Sequence, residues 1–173
     1  MYTVIPANVS EAQHKAAVGQ LLEQYHRQTE REKAIHGIGV HAEGLPLPSK
    51  YQDEIDDPEG AFAHSHVLIA ADGPDVVGML VLTVDAHASE VKRLWVVPSA
   101  RGLGIGSALL QQALRVAEDF QSPAVRLTVW PWREPALRSY RRLGFADVQS
   151  WDSRSGLVCM ELVLTKNNAA SRD

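Results

Sequence analysis

The stretch Val96-Val97-Pro98-Ser99-Ala100-Arg101-Gly102-Leu103-Gly104-Ile105-Gly106-Ser107 leaves this chain few folding options. An apolar run stops at a proline, a glycine-rich turn follows, and an apolar-periodic helix starts at once. Glycines at 102, 104 and 106 remove three Cβ atoms, so the main chain takes positive φ cheaply and lies close to another group. The first helical turn presents N–H groups without intrahelical acceptors, at the positive end of the helix dipole. Such a turn is a seat for phosphate or pyrophosphate. It lacks the Gly-Lys-Ser/Thr ending of a P-loop, and its third glycine falls one residue too early for the dinucleotide fingerprint. Taken alone, the turn stays open between an anion seat and a strand-to-helix turn whose glycines serve packing.

A chain of 173 residues fits a single domain with a sizeable core. Its 17 Lys and Arg against 21 Asp and Glu give a net charge of −4, which opposes general attraction to nucleic acid or anionic lipid. Residues 1–6 show neither a basic n-region nor a long apolar h-region. The longest apolar run, residues 76–84, is too short to cross a bilayer as a helix. Cys159 is the only cysteine, so no intrachain disulfide forms, and the expected location is the cytoplasm.

Residues 2–5 read as a first strand. Ser10-Glu11-Ala12-Gln13 is a capping-box pattern, and Val18, Leu21, Leu22 and Tyr25 then repeat at helical spacing, predicting about four to five turns that fray towards Glu32. Residues 36–50 read as loop, and residues 49–57 as a short polar helix. Two β-rich runs, 66–71 and 76–84, flank the hairpin signal Asp72-Gly73-Pro74-Asp75, and 89–97 is the next strand. Strand alternation there sets Glu90, Lys92 and Leu94 on one face and Val91, Arg93 and Trp95 on the other. The helix after the glycines buries Ile105, Ala108, Leu109, Val116 and Phe120. Residues 124–130 form a strand stopped by Pro131. The last helix holds Pro135 in its first turn and ends at Gly144. Residues 145–151 and 157–164 pair through a turn at 152–156, and a polar tail follows. The order β-α-α-β-β-β-α-β-α-β-β predicts an α/β sandwich around a mixed, mostly antiparallel sheet.

The segment Arg101-Gly102-Leu103-Gly104-Ile105-Gly106, preceded by Leu94-Trp95-Val96-Val97-Pro98, resembles the acyl-CoA-binding signature of the GNAT N-acetyltransferase superfamily. Ala136-Leu137-Arg138-Ser139-Tyr140-Arg141-Arg142-Leu143-Gly144-Phe145 resembles that family's Ala-x-x-x-Tyr-x-x-x-Gly-Phe element, in the expected order. The resemblance is close over residues 66–164 and holds only in outline before them. It implies a GNAT-like single domain over residues 1–165, with residues 166–173 as a tail, and strands 89–97 and 124–130 that splay to admit a pantetheine arm. It also implies acetyl-CoA as cosubstrate, with backbone groups of Leu94, Trp95 and Val96 on the pantetheine. Backbone N–H groups of Gly102, Leu103, Gly104, Ile105, Gly106 and Ser107 would hold the pyrophosphate, and Arg101 would reach a phosphate.

By the same resemblance Tyr140 is the candidate general acid, set against a packed helix tyrosine, and Glu90 the candidate base, set against a strand-end carboxylate paired with Lys92 or Arg126. A phenol of reference pKa about 10 remains a donor at neutral pH, while an alkylammonium acceptor must first lose a proton. Arg133 stands where many family members carry an asparagine, and it reads either as a contact for a phosphate or an acidic acceptor or as an exposed helix-start arginine. Asp53, Glu54, Asp56, Asp57 and Glu59 form an acidic cluster, either an attractor for a cationic amine or a solvated face. His64-Ser-His66 has no third partner at ligand spacing, so no metal is expected. Cys159 reads as a small core residue. The expected reaction is transfer of an acetyl group to a primary amine, on a small molecule or a protein amino group. Residues 26–57 and 150–156 would shape the acceptor site. A homodimer is left open, and the alternative is a catalytically silent acyl-CoA-binding sensor of the same fold.

Overall fold

The computed structural model of the chain describes residues 1–39 and 44–164. Strand β1 (Tyr2–Pro6) leads to helices α1 (Ala12–Ile35), α2 (Ser49–Asp56) and the one-turn α3 (Pro58–Ala61). Strands β2 (His66–Asp72) and β3 (Asp75–Thr83) form a hairpin across Gly73-Pro74, and β4 (Ser89–Val96) runs into the glycine turn. Helix α4 (Ile105–Asp119), β5 (Ala124–Val129), α5 (Glu134–Arg142), β6 (Ala146–Asp147) and β7 (Val158–Val163) complete the order. The expected succession holds with α3 added, where Pro58 supplies the fixed φ of a first helical position. The sheet order is β1-β2-β3-β4-β5-β7-β6. Among the described residues only β4 and β5 pair in parallel. The tail expected after residue 165, and residues 40–43 of the expected loop, lie outside the described residues.

Period-two alternation puts one core on each face of the sheet. Leu80 and Leu82 of β3 pack with Leu109 and Leu110 of α4 and Leu137 of α5. Met79 and Val81 pack with Val18, Leu21 and Leu22 of α1. Among the described residues no helix is long and apolar enough to cross a membrane.

Four local expectations are corrected. No side-chain cap closes α1: Glu11 holds the cap position, and Ser10 instead donates its hydroxyl to Glu59 at 2.7 Å. The helix also runs on to Ile35, because Glu32 is tied across the molecule and does not fray. Phe120 is 57 % exposed against His66, while Leu110, Ala113 and Ala117 turn inward on α4. The last hairpin shrinks to two residues of β6 and the Val148 N–H against β7, since residues 149–157 leave the sheet for a turn in which Asp152 accepts the Arg154 N–H at 2.8 Å.

The remaining correction shapes the site. In β4, Lys92 stands opposite Val81 and Trp95 opposite Met79, so Arg93 and Leu94 both face the single residue Leu80. This is a β-bulge, and Arg93 adopts φ 54° within it. Alternation therefore breaks: Val91, Leu94 and Val96 belong to the α4 face, and Trp95 to the α1 face.

Candidate active site

Strands β4 and β5 pair only at Ser89–Val125, Glu90–Arg126 and Val91–Leu127. The closed end is fastened by a buried bond from the Ser89 hydroxyl to Ser122 at 2.9 Å. Beyond Val91 the bulge turns β4 aside, while β5 stays registered with β7 as far as Val129. The strands splay as expected, and a cleft of about 970 Å³ opens between them. Val97 bonds to the Val77 carbonyl at 2.9 Å, so antiparallel alternation turns the N–H and C=O of Val96 away from β3 and into the gap. The same alternation pairs Trp95 with Met79.

At the mouth of the splay, Gly102 and Gly104 both take φ 81°, a left-handed conformation that glycine adopts without strain. The N–H groups of residues 102–107 donate to no backbone carbonyl among the described residues, and the first helical bond runs from Ala108 to Gly104 at 3.0 Å. Six donors at a helix N-terminus are thereby left without backbone acceptors among the described residues, as an anion seat requires. All of these residues line the cleft except Leu103, whose side chain is 66 % exposed. Arg101 lies over the Trp95 ring, 4.6 Å from its centroid, and donates from Nε to the Val96 carbonyl at 3.0 Å.

Tyr140 reaches the cleft from α5 with its ring against Phe145 and only 8 % of its surface exposed. Burial pushes its phenol upward, the nearby Tyr25 adds to this, and Arg133 opposes it, so the hydroxyl is a proton donor at neutral pH. That hydroxyl has no hydrogen-bond partner among the described residues. Glu90 lines the same cleft, with Lys92 at 3.7 Å and Arg126 at 3.8 Å. Both pairings foreseen for this carboxylate are present, and neither is a short hydrogen bond.

The opposite wall comes from α1, α2 and the loops at 130–133 and 152–157. Arg133 is not an exposed helix-start residue: it donates to Glu32 at 2.7 Å and to the Thr29 hydroxyl at 2.8 Å. Trp132 adds a bond to Glu32 at 3.1 Å and stacks between His36 and Trp130. Together they strap α1 to the start of α5 across the splay. Burial raises the carboxyl of Glu32, but the Gln28 and Arg133 bonds overturn that and hold it low.

The acidic cluster on α2 does not face a cationic ligand as a free set. Glu54 accepts two bonds from Arg93, at 2.6 and 2.8 Å, and one from the buried His26 at 2.8 Å. Burial pushes its carboxyl up, and those partners more than reverse this, to about 2. Asp57 pairs with Lys15, and Gln52 with Asp56. Asp152 pairs bidentately with Arg154, and that contact brings its carboxyl down to about 2. Sequence spacing could not find the partners of Glu54 and Asp57, which lie on segments far apart in the chain. Among the described residues no three His, Cys, Asp or Glu side chains form a metal-ligating group.

A splayed mixed sheet, a donor-rich helix start at its gap and a buried phenol meet at one cleft. Residues 41–145 match the acetyltransferase (GNAT) family, and the chain belongs to that family. Over 98 residues it is 34 % identical to the streptothricin acetyltransferase of Streptomyces lavendulae, a stretch that covers 54 % of this chain and 51 % of that protein. The chain thus spans about half the length of this curated relative. The PaiA N-acetyltransferase of Thermoplasma acidophilum, solved in complex with coenzyme A, superposes with TM-score 0.71 at 16 % identity, covering 95 % of this chain and 99 % of that one. A GNAT-family acetyltransferase from Staphylococcus aureus gives TM-score 0.68 at 17 % identity, covering 95 % and 100 %. At these identities the two structures show a shared fold.

Proposed function

We propose that the protein transfers an acetyl group from acetyl-CoA to a primary amine by direct attack on the thioester. The reading is carried by the six unpartnered N–H groups of residues 102–107, set at the end of a strand whose Val96 amide faces the splay. The pyrophosphate sits on those donors, and Arg101 exchanges the Val96 carbonyl for a phosphate oxygen. The pantetheine arm enters along residues 94–96 as an added strand, and the Val96 N–H meets the developing oxyanion. Tyr140 protonates the departing sulfur. Glu90, whose cations stand beyond hydrogen-bond reach, takes the proton of the ammonium directly or through water. Glu32 and Asp152, also on the cleft wall, are each held at 2.7 Å by an arginine and have less capacity left.

The acceptor enters between α1, α2 and the 152–157 loop, past Tyr25 and Tyr51. The relative named for streptothricin puts antibiotic amines among the candidates, beside polyamines and protein amino groups. Thiol release from acetyl-CoA with a panel of these amines tests the reading. Turnover with at least one amine is expected, and Tyr140→Phe should lower kcat by about 100-fold or more while coenzyme A still binds. Coenzyme A binding with no turnover on any amine would instead identify a silent sensor.

A further inference from the structure

We propose that Glu54 is a positioning residue for the donor strand: by gripping Arg93 it holds the bulge in β4 and ties the acceptor-side helix α2 to the strand that meets the cosubstrate. The proposal rests on the donor assignment above.

Arg93 occupies left-handed φ space, which disfavours any residue with a Cβ unless the surroundings hold it there. What holds it is specific. Both carboxylate oxygens of Glu54 engage its guanidinium, and the same carboxylate is braced by His26, whose ring stacks on Tyr51 at 4.1 Å. Helix α2 buries no residue of its own, so this clamp is a principal attachment of that helix.

The alternative register shows what the clamp decides. Without the bulge, Arg93 would stand opposite Leu80 and turn to the face where Leu80 packs with Leu109 and Leu110. Leu94 and Trp95 would exchange faces. A guanidinium buried without a partner in that apolar core is strongly unfavourable. Arg93 therefore excludes the regular strand, and Glu54 supplies the receptor that makes the bulged one stable. The splay from β5 opens just before this bulge, and residues 94–96 lie just after it. One ion pair thus sets the direction of the donor strand from the acceptor wall.

The full chain serves for the test, with Glu54→Gln, Arg93→Ala, Arg93→Gly and the double variant Glu54→Gln/Arg93→Gln. Glu54→Gln strands a charged guanidinium, whereas the double variant removes both charges and leaves two neutral amides, the one at position 93 shorter than the arginine it replaces. Calorimetry with coenzyme A should show affinity reduced about 10-fold or more in Glu54→Gln and in the double variant, with the double no worse than the single within about twofold. Arg93→Gly should bind coenzyme A more tightly than Arg93→Ala, because both lose the ion pair and only glycine takes the bulge conformation freely. Hydrogen exchange should accelerate at residues 93–96 while β2 and β7 remain protected. Wild-type affinity and exchange in the double variant, exchange that rises evenly over the sheet, or equal affinity of the glycine and alanine variants would each overturn the proposal. If the unaltered chain fails to bind coenzyme A, the donor reading falls, and the exchange pattern still decides whether Glu54 holds the bulge.

Discussion

At Tyr140 the burial that suits a packed helix residue also equips a proton donor. The desolvated phenol resists ionisation, and its hydroxyl has no hydrogen-bond partner among the described residues at the cleft wall. Glu90 poses the complementary question, because its two cations sit at 3.7 and 3.8 Å and leave the carboxylate oxygens open. Glu90→Gln keeps the shape and removes the basicity, so kcat with an accepted amine should fall by about 10- to 100-fold while coenzyme A affinity holds. Unchanged turnover would move the base elsewhere on the wall. That the glycines, Tyr140 and Glu90 belong to one cleft was legible through the resemblance, because the glycines and Tyr140 sit in short local motifs and Glu90 stands at a fixed count before the glycines. Arg133 and Glu54 were not, since what they do depends on Glu32, Thr29 and Arg93, which are distant in sequence. The acidic cluster was read as an amine attractor or a solvated face: Asp53, Asp56, Asp57 and Glu59 are exposed, and only Glu54 turns inward to partners that a run of carboxylates does not reveal.

Local codes and long-range packing separate again among the elements. The hairpin at Asp72-Gly73-Pro74-Asp75 and the helix between Gly104 and Phe120 were readable because turn chemistry and period suffice. The β4 bulge was not, because one inserted residue leaves no mark on composition and yet reverses the faces beyond it. Helix α2 was predicted as polar and exposed, and the structure shows how such a helix is still seated. A Cβ built on Gly19 of α1 would lie 2.7 Å from the Ile55 carbonyl, and that backbone oxygen has no rotamer by which to retreat. Gly19→Ala should push α2 away from α1 and destabilise the fold by about 1–3 kcal/mol, read as a lowered urea midpoint. The acceptor wall moves with α2, so the same variant should weaken amine binding more than coenzyme A binding. Stability equal to wild type would show that the two helices do not need this contact.

Taken whole, the molecule carries a net charge of −4 but lines its cleft with more cations than carboxylates, which suits an anionic carrier. The carboxylates that hold the cleft together also decide how the fold answers to acid. Glu54 and Asp152 are each brought to about 2, and Glu32 is lowered as well. A carboxyl with a depressed folded pKa binds fewer protons folded than unfolded, so its stabilisation is present above the unfolded value, 4.5 for Glu54 and 3.8 for Asp152, and lost as pH falls towards 2. His26 acts in the same direction. Burial lowers its pKa below 6.5, with Arg93 opposing protonation and Glu54 favouring it, so the neutral ring is the folded form and acid favours the unfolded chain. No compensating gain arises in this range from these groups, so stability should begin to decline below about pH 6.5 and fall more steeply below about 4.5. The Glu54 clamp alone accounts for a loss of at most about 3 kcal/mol at full protonation. Urea unfolding near pH 7, about pH 5 and about pH 3 measures this, with midpoints dropping and the slope m unchanged. In Glu54→Gln/Arg93→Gln the drop between about pH 5 and about pH 3 should shrink, since the group that must take up a proton is gone. A double variant that loses as much stability as wild type over that interval would assign the acid sensitivity to the exposed carboxylates instead, and would place the clamp outside the groups that respond to acid.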